Sequence, residues 1–268
     1  MSSDDIHCRA TRWFIWRAVA MACLFFGFGF YFFYDGAVGY PRANEVFFAH
    51  KAFAEMGGRI GSMGESEWKA YLDRAAMWPV VPRDGVEYAL GEKGTLYPMP
   101  PGANAVVPDV MRNYTRVRNE GWFDYAWKTY SAERRFPMKP GEHPYDVAAV
   151  REQWLAGSVC MLLGLGAVLL LLRTLRRSMS LEGDQVTAAG CSFRVADIRR
   201  IDLRSWKLKG LAFFTVAMPG GNRRVRIDGM SYGGFEKSRG EPAERFMQAV
   251  LSRYEGEILH YEDALGEE

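Results

Sequence analysis

Two long apolar blocks constrain this chain more than any other feature. The first covers residues 14–34, FIWRAVAMACLFFGFGFYFFY, with one charge, Arg17, near its start. The second covers residues 153–173 around WLAGSVCMLLGLGAVLLLL, whose 19 residues carry no charge. A helix rises about 1.5 Å per residue, so either block reaches across a hydrocarbon layer of about 30 Å. Arg17 lies about one turn inside, where its stem can snorkel to the headgroups. Trp13, Trp16, Tyr31 and Tyr34 sit near the block ends, as interfacial aromatics do. The first block is long and ends in bulky aromatics, and residues 35–41, DGAVGYP, offer no convincing small-x-small cleavage site, so an uncleaved signal anchor is expected.

Basic residues orient the spans. Arg9, Arg12 and Arg17 precede or open the first, and Arg173, Arg176 and Arg177 follow the second. The positive-inside rule then puts both termini in the cytoplasm and the intervening segment outside. The expected order is a cytoplasmic N-terminus (1–13), a span (14–34), an extracytoplasmic domain (35–152), a span (153–173), a cytoplasmic module (174–257) and an acidic tail (258–268). No cysteine falls in the outer segment, so no disulfide is expected inside it. No acid, His or Asn lies at mid-membrane, which leaves an ion path unsupported. The whole chain has 34 basic and 32 acidic residues, a balance that argues against nucleic-acid binding.

The outer segment reads as mainly helical. Asn44 is expected to cap a helix ending at Gly57-Gly58, and Ser62 with Glu65 has capping-box spacing ahead of Trp68, Tyr71, Leu72 and Ala75. Residues 79–108, rich in Pro and Gly, are expected to be extended. Two helical pieces broken near Gly121 follow, and Pro144 is expected to open a helix running unbroken into the second span. Such a helix would couple the two sides. The aromatic residues are expected to form the core of a small domain. His50 and His143 lie far apart without a ligand-like spacing, and no nucleophile elbow is present. No catalytic residue, metal or cofactor is therefore assigned.

After the second block the period shortens. Residues 178–181 and 185–188 read as strands around Gly183-Asp184. LAFFTVAM at 211–218 is a strong β-run followed by a Pro-Gly-Gly-Asn turn, and 223–227 alternates apolar and basic residues. An amphipathic helix opens at Glu241-Pro242 with Phe246, Val250, Leu251 and Tyr254 at helical spacing.

Arg194-Val-Ala-Asp-Ile198, Ile201-Asp202 and Trp206-Lys-Leu-Lys-Gly210 resemble a stretch of bacterial pleckstrin-homology-like domains, and Arg226-Ile-Asp228 with a Tyr/Gly-rich loop is similar to the remainder. The resemblance covers roughly residues 178–257. It implies a bent antiparallel β-sandwich or half-barrel capped by a helix, in a module that binds proteins or lipids. The first hairpin lacks the basic residues that eukaryotic pleckstrin domains use for lipid headgroups.

Residues 174–253 hold 15 basic and 8 acidic residues. Arg199, Arg200, Arg204, Lys207 and Lys209 form one basic group, and Arg223, Arg224 and Arg226 a second; both are candidate contacts for an anionic lipid surface or a partner. Cys23-x-x-x-Gly27 and Cys160-x-x-x-Gly164 are small-residue pairs that would let the helices approach or copies of the chain associate. The expected whole is an α+β membrane protein of the bacterial inner membrane, a non-enzymatic scaffold, adaptor or signal relay with lipids and a protein as partners. The alternatives are a membrane-bound enzyme with an outer site and an accessory transporter subunit.

Overall fold

The computed structural model describes residues 5–74, 77–103, 107–119 and 121–260. In chain order the elements are β1 (Ile6–Cys8), α1 (Arg12–Tyr34), α2 (Tyr40–Ile60), α3 (Glu65–Arg74), β2 (Val80–Arg83), β3 (Val86–Leu90), β4 (Leu96–Pro98), α4 (Tyr114–Val117) and α5 (Trp122–Arg134). Then come α6 (Val147–Leu175), β5 (Met179–Glu182), β6 (Gln185–Ala188), β7 (Cys191–Arg194), β8 (Ile198–Asp202), α7 (Trp206–Lys209), β9 (Leu211–Met218), β10 (Gly221–Asp228), α8 (Pro242–Leu251) and β11 (Glu257–Leu259). The protein is α+β and divides into two units: Gly27–Met161, and the residues up to Phe26 together with those from Leu162 onward.

The helices holding the two apolar blocks are each long and apolar enough to cross a membrane, and only 11% of each apolar window is buried. A helix forming the core of a soluble protein would be mostly buried. Here large side chains such as Phe30, Leu155, Leu162 and Leu170 stand exposed.

The middle unit is contiguous in sequence. The helix of the first block does not stop at Tyr34. It passes through one π turn, Asp35–Gly39, in which the Tyr40 N–H donates to the Asp35 carbonyl, and continues as α2. The widened turn admits Pro41, which has no N–H to give, near the start of α2. Asn44 is therefore no cap. It lies inside α2, fully buried, and its amide nitrogen donates to the carbonyls of Pro98 and Tyr145 at 2.8 Å each, while its oxygen accepts the Tyr145 N–H at 2.7 Å. That one side chain ties three distant segments together. Gly57-Gly58 does not end α2 either, which runs to Ile60.

The expected capping box at Ser62 and Glu65 is also displaced. Glu67 reaches back to the Gly64 N–H at 2.9 Å, and Ser62 bonds the Arg59 carbonyl instead. Ala75, placed on this helix from sequence, lies outside the described residues. The stretch expected to be extended contains the antiparallel meander β2-β3-β4. Between α4 and α5, Gly121 adopts φ +77°, a left-handed conformation that breaks the helix where expected. Finally α6 begins at Val147, three residues after Pro144, because the Asp146 carboxylate caps the Ala149 N–H at 2.8 Å. The aromatic residues do form the core: Phe53, Trp68, Trp127 and Tyr130 are buried, with the Phe53 ring 5.6 Å from Trp127 and 5.0 Å from Tyr130.

The second unit is discontinuous. Its sheets have the orders β1-β5-β6-β7 and β10-β9-β8-β11, antiparallel except that β11 runs parallel to β8. Both contribute to a core holding Leu181, Val186, Ile201, Phe214, Val216 and Ile227, which α8 closes through Phe246, Met247 and Val250. Two boundaries read from the sequence move. Residues 6–8 of the N-terminal segment form the edge strand of the first sheet, and residues 258–259, read as the start of the acidic tail, belong to strand β11; residues 261–268 lie outside the described residues.

The N-terminal segment is bound in throughout. Ala10 bridges Tyr232, the Gly233 N–H donates to the Arg9 carbonyl, and the Thr11 N–H donates to the Ser231 carbonyl. The Thr11 hydroxyl donates to the Met230 carbonyl at 2.9 Å while accepting the Phe14 N–H, so it caps α1 and fastens it to the module. Cys8 is 1% exposed beside Gly233, where φ is +82° and a Cβ would meet the Cys8 sulfur at 2.9 Å. Burial pushes the Cys8 thiol up to about 12, only partly offset by Arg245.

Candidate functional site

The two basic groups read from the sequence differ once the strands are placed. In the first, two of the five charges are met locally. Arg204 forks onto the Asp202 carboxylate with two 3.0 Å bonds, and Arg200 bonds Glu257 across the parallel β8–β11 pair at 2.8 Å. The Arg204 hydrogen bonds, with the charges of Arg204 and Arg224, hold the Asp202 carboxyl below its ordinary range against its partial burial. Arg199 is exposed, and Lys207 and Lys209 flank the exposed Leu208 on α7. Arg204 and Lys207 border a groove of about 740 Å³ floored by Trp206, Phe235 and Met247.

The second group lies on β10, the end strand of its sheet. Val225 and Ile227 enter the core, and Arg224 and Arg226 take the other face. Arg224 lies 3.6 Å from Asp202 and stacks on the Phe213 ring at 4.0 Å, while Arg226 bonds Asp228 at 2.7 Å. Arg223 meets no carboxylate among the described residues.

Arg223, Arg224 and Arg226 line a cavity of about 500 Å³. Its other wall comes from the ends of the apolar helices, with Phe14 from the first turn of α1 and Leu170, Arg173 and Thr174 from the last turns of α6. Arg177, just past α6, and Tyr232 complete it. The Tyr232 hydroxyl donates to the Thr174 carbonyl at 3.3 Å, and burial holds its pKa up despite Arg177 and Arg173 nearby. Arg173 and Arg177 also meet no carboxylate among the described residues. The cavity is thus lined by both apolar and cationic side chains, with Asp228 as its one carboxylate.

Arg173 and Arg177 read from the sequence only as orienting charges. Their sole signal was position just after an apolar block, and nothing in it points to Arg223, about fifty residues on. The five basic residues from Arg199 to Lys209 stay outside the cavity.

The helix-packing residues are likewise redistributed. Cys23 is exposed, Gly27 has open space beside it and Cys160 is half-buried. Gly164 alone meets the other helix, on the Phe26 ring. The close approach in the middle unit is made by Gly29 and Gly157. A Cβ on Gly29 would lie 3.3 Å from the Gly157 carbonyl oxygen, and one on Gly157 would lie 2.6 Å from the Phe33 ring and 3.2 Å from the Gly29 carbonyl oxygen. Gly164 thus meets the other helix, while the close backbone approach falls at Gly29 and Gly157, because helix rotation is not written in spacing alone.

In the middle unit His50 packs edge-on against Trp127 with ring centres 4.9 Å apart. Glu65 pairs with Lys69, Asp73 with Arg112 and Glu45 with Arg134. Among the described residues no three His, Cys, Asp or Glu side chains gather as a metal site. Comparison with protein-family models, characterised proteins and solved structures finds no match.

Proposed function

We propose that this chain is a non-enzymatic integral membrane protein in which two spans carry a cytoplasmic pleckstrin-homology-like module acting as a scaffold or adaptor. One observation carries the reading: both apolar helices join the β-module without a free linker. The chain enters α1 from Thr11, which is bonded to the loop at residues 230–231, and leaves α6 only three residues before β5. A module joined in this way stands against the bilayer instead of wandering on a tether. Its edges and grooves are then presented to partners in the plane of the membrane, at a raised effective concentration. The pleckstrin-like part of the reading is supported by two antiparallel-based sheets around one core, closed by α8.

Single cysteines introduced by Leu90→Cys and Gly220→Cys test the arrangement in intact cells. A membrane-impermeant maleimide is expected to label the first and spare the second. Labelling of Gly220→Cys alone would invert the topology, and release of the chain by carbonate would remove the membrane reading. Crosslinking in intact membranes would identify the partner.

A further inference from the structure

We propose that the cavity between the helix ends and β10 is a binding site for one anionic phospholipid, held by its phosphate. The inference rests on the membrane-spanning reading above and names a ligand for one site within it.

The cavity's composition matches the two ends of such a lipid. Arg173, Arg177 and Arg223 reach it from two separate parts of the chain, and none is met by a carboxylate among the described residues. Arg226 is paired with Asp228, and Arg224 shares Asp202 with Arg204, so the unmatched charge rests chiefly on those three, with part of Arg224. Five guanidinium groups line the concavity against one carboxylate, Asp228, and that excess is unfavourable unless an anion or solvent screens it. Guanidinium forks match phosphate oxygens, and the negative end of α6 offsets only part of the repulsion.

The apolar wall decides between a lipid and a soluble anion. Phe14 and Leu170 border the same cavity from inside the apolar blocks. A lipid phosphate level with Arg173 would lay its acyl chains along those residues, whereas free phosphate makes no use of them. At about 500 Å³ the space fits a headgroup and leaves the chains in the bilayer.

The test uses the full chain extracted in detergent, with retained lipid read by native mass spectrometry during titration with phosphatidylglycerol or phosphatidylcholine. One phosphatidylglycerol should be retained in preference to phosphatidylcholine. Arg173→Gln with Arg223→Gln should weaken that retention by roughly twentyfold, from about fivefold for each cation near an anionic lipid. The matched pair Arg199→Gln with Lys209→Gln should leave it unchanged. Arg173→Lys with Arg223→Lys, which keeps the charge, should restore most of it and covers the case in which the glutamine variant fails to fold. Equal retention of the two lipids, or equal loss from both glutamine pairs, would overturn the proposal. Displacement by inorganic phosphate at concentrations comparable to the lipid would assign the site to a soluble anion and overturn it too. Carbonate extraction separates the two readings: a chain that stays in the membrane yet shows no lipid preference refutes this inference alone.

Discussion

The two units solve the same problem, a stable core, with opposite chain economies. The middle unit is one unbroken stretch from Gly27 to Met161, packed with aromatic rings and drawn together by the buried amide of Asn44. The β-module is assembled from both ends of the chain, and its Cys8 thiol bonds the Pro242 carbonyl 234 positions away. Contiguity does not by itself make a unit legible: Asn44 and the meander of the middle unit depend on partners far along the chain, just as the three-residue strand β1 carries too little pattern to announce a partner 173 positions on.

The contrast can be broken most sharply at the cores. Cys8→Glu forces a larger carboxylate, only partly offset by Arg245, where only 1% of the residue is exposed and should cost the module about 3–5 kcal/mol, even though it lies far from residues 179–259 in sequence. Phe53→Ala should cost the middle unit about 3–5 kcal/mol through the cavity it leaves. Hydrogen exchange resolved by segment checks both: each substitution should loosen its own unit. Loosening of residues 179–259 by Phe53→Ala but not by Cys8→Glu would refute the discontinuous assembly.

Asn44→Ala comes next. It orphans two carbonyls and one N–H and should cost the middle unit about 2–3 kcal/mol, read as a lowered thermal midpoint. A cost under about 0.5 kcal/mol, the level of an ordinary surface change, would remove the amide's tying role.

Gly157→Leu forces side-chain atoms against Phe33 and should cost about 1–3 kcal/mol, whereas Cys23→Leu on an exposed position should cost under about 0.5 kcal/mol. Thermal unfolding in detergent compares them, and the reverse order would restore the cysteine-containing pairs as the packing contact.

The smallest effect is one of sign with pH. Asp202 is held below its ordinary value, chiefly by Arg204, so its contribution to the module is present above that value and is lost as pH falls through the lowered one. Glu45 is raised by burial, against Arg134 and Arg42, so its cost to the middle unit is absent below pH 4.5 and grows as pH rises through the raised value. Acidification from neutral pH to about 4.5 should relieve the Glu45 cost in the middle unit while the Asp202 contribution to the module persists. Asp202→Asn and Glu45→Gln should each abolish its own trend in segment-resolved exchange.

Much was legible where physics is local. The apolar blocks, the β-run at 211–218, the break at Gly121 and the terminal helix at Pro242 all follow from period, turn chemistry and length. The misreadings share one cause. Asn44, Ser62 and Pro144 are ordinary capping residues by type, but each was judged beside its neighbours alone. Asn44 is claimed by Pro98 and Tyr145, and the work at Ser62 and Pro144 passes to Glu67 and Asp146. Residues 79–108 read as extended, and the pairing of β2, β3 and β4 within them is not legible because Pro and Gly mask their short alternations.

For the candidate site the division is cleaner. Sequence alone established the charge of every arginine and the apolar character of the helices they flank, since both are properties of side chains and runs. Only the tertiary structure brought Arg173 and Arg177 to Arg223 and turned Arg204 inward onto Asp202. Strand pairing and helix rotation are settled by how whole surfaces bury against one another, and that depends on residues far apart in the chain.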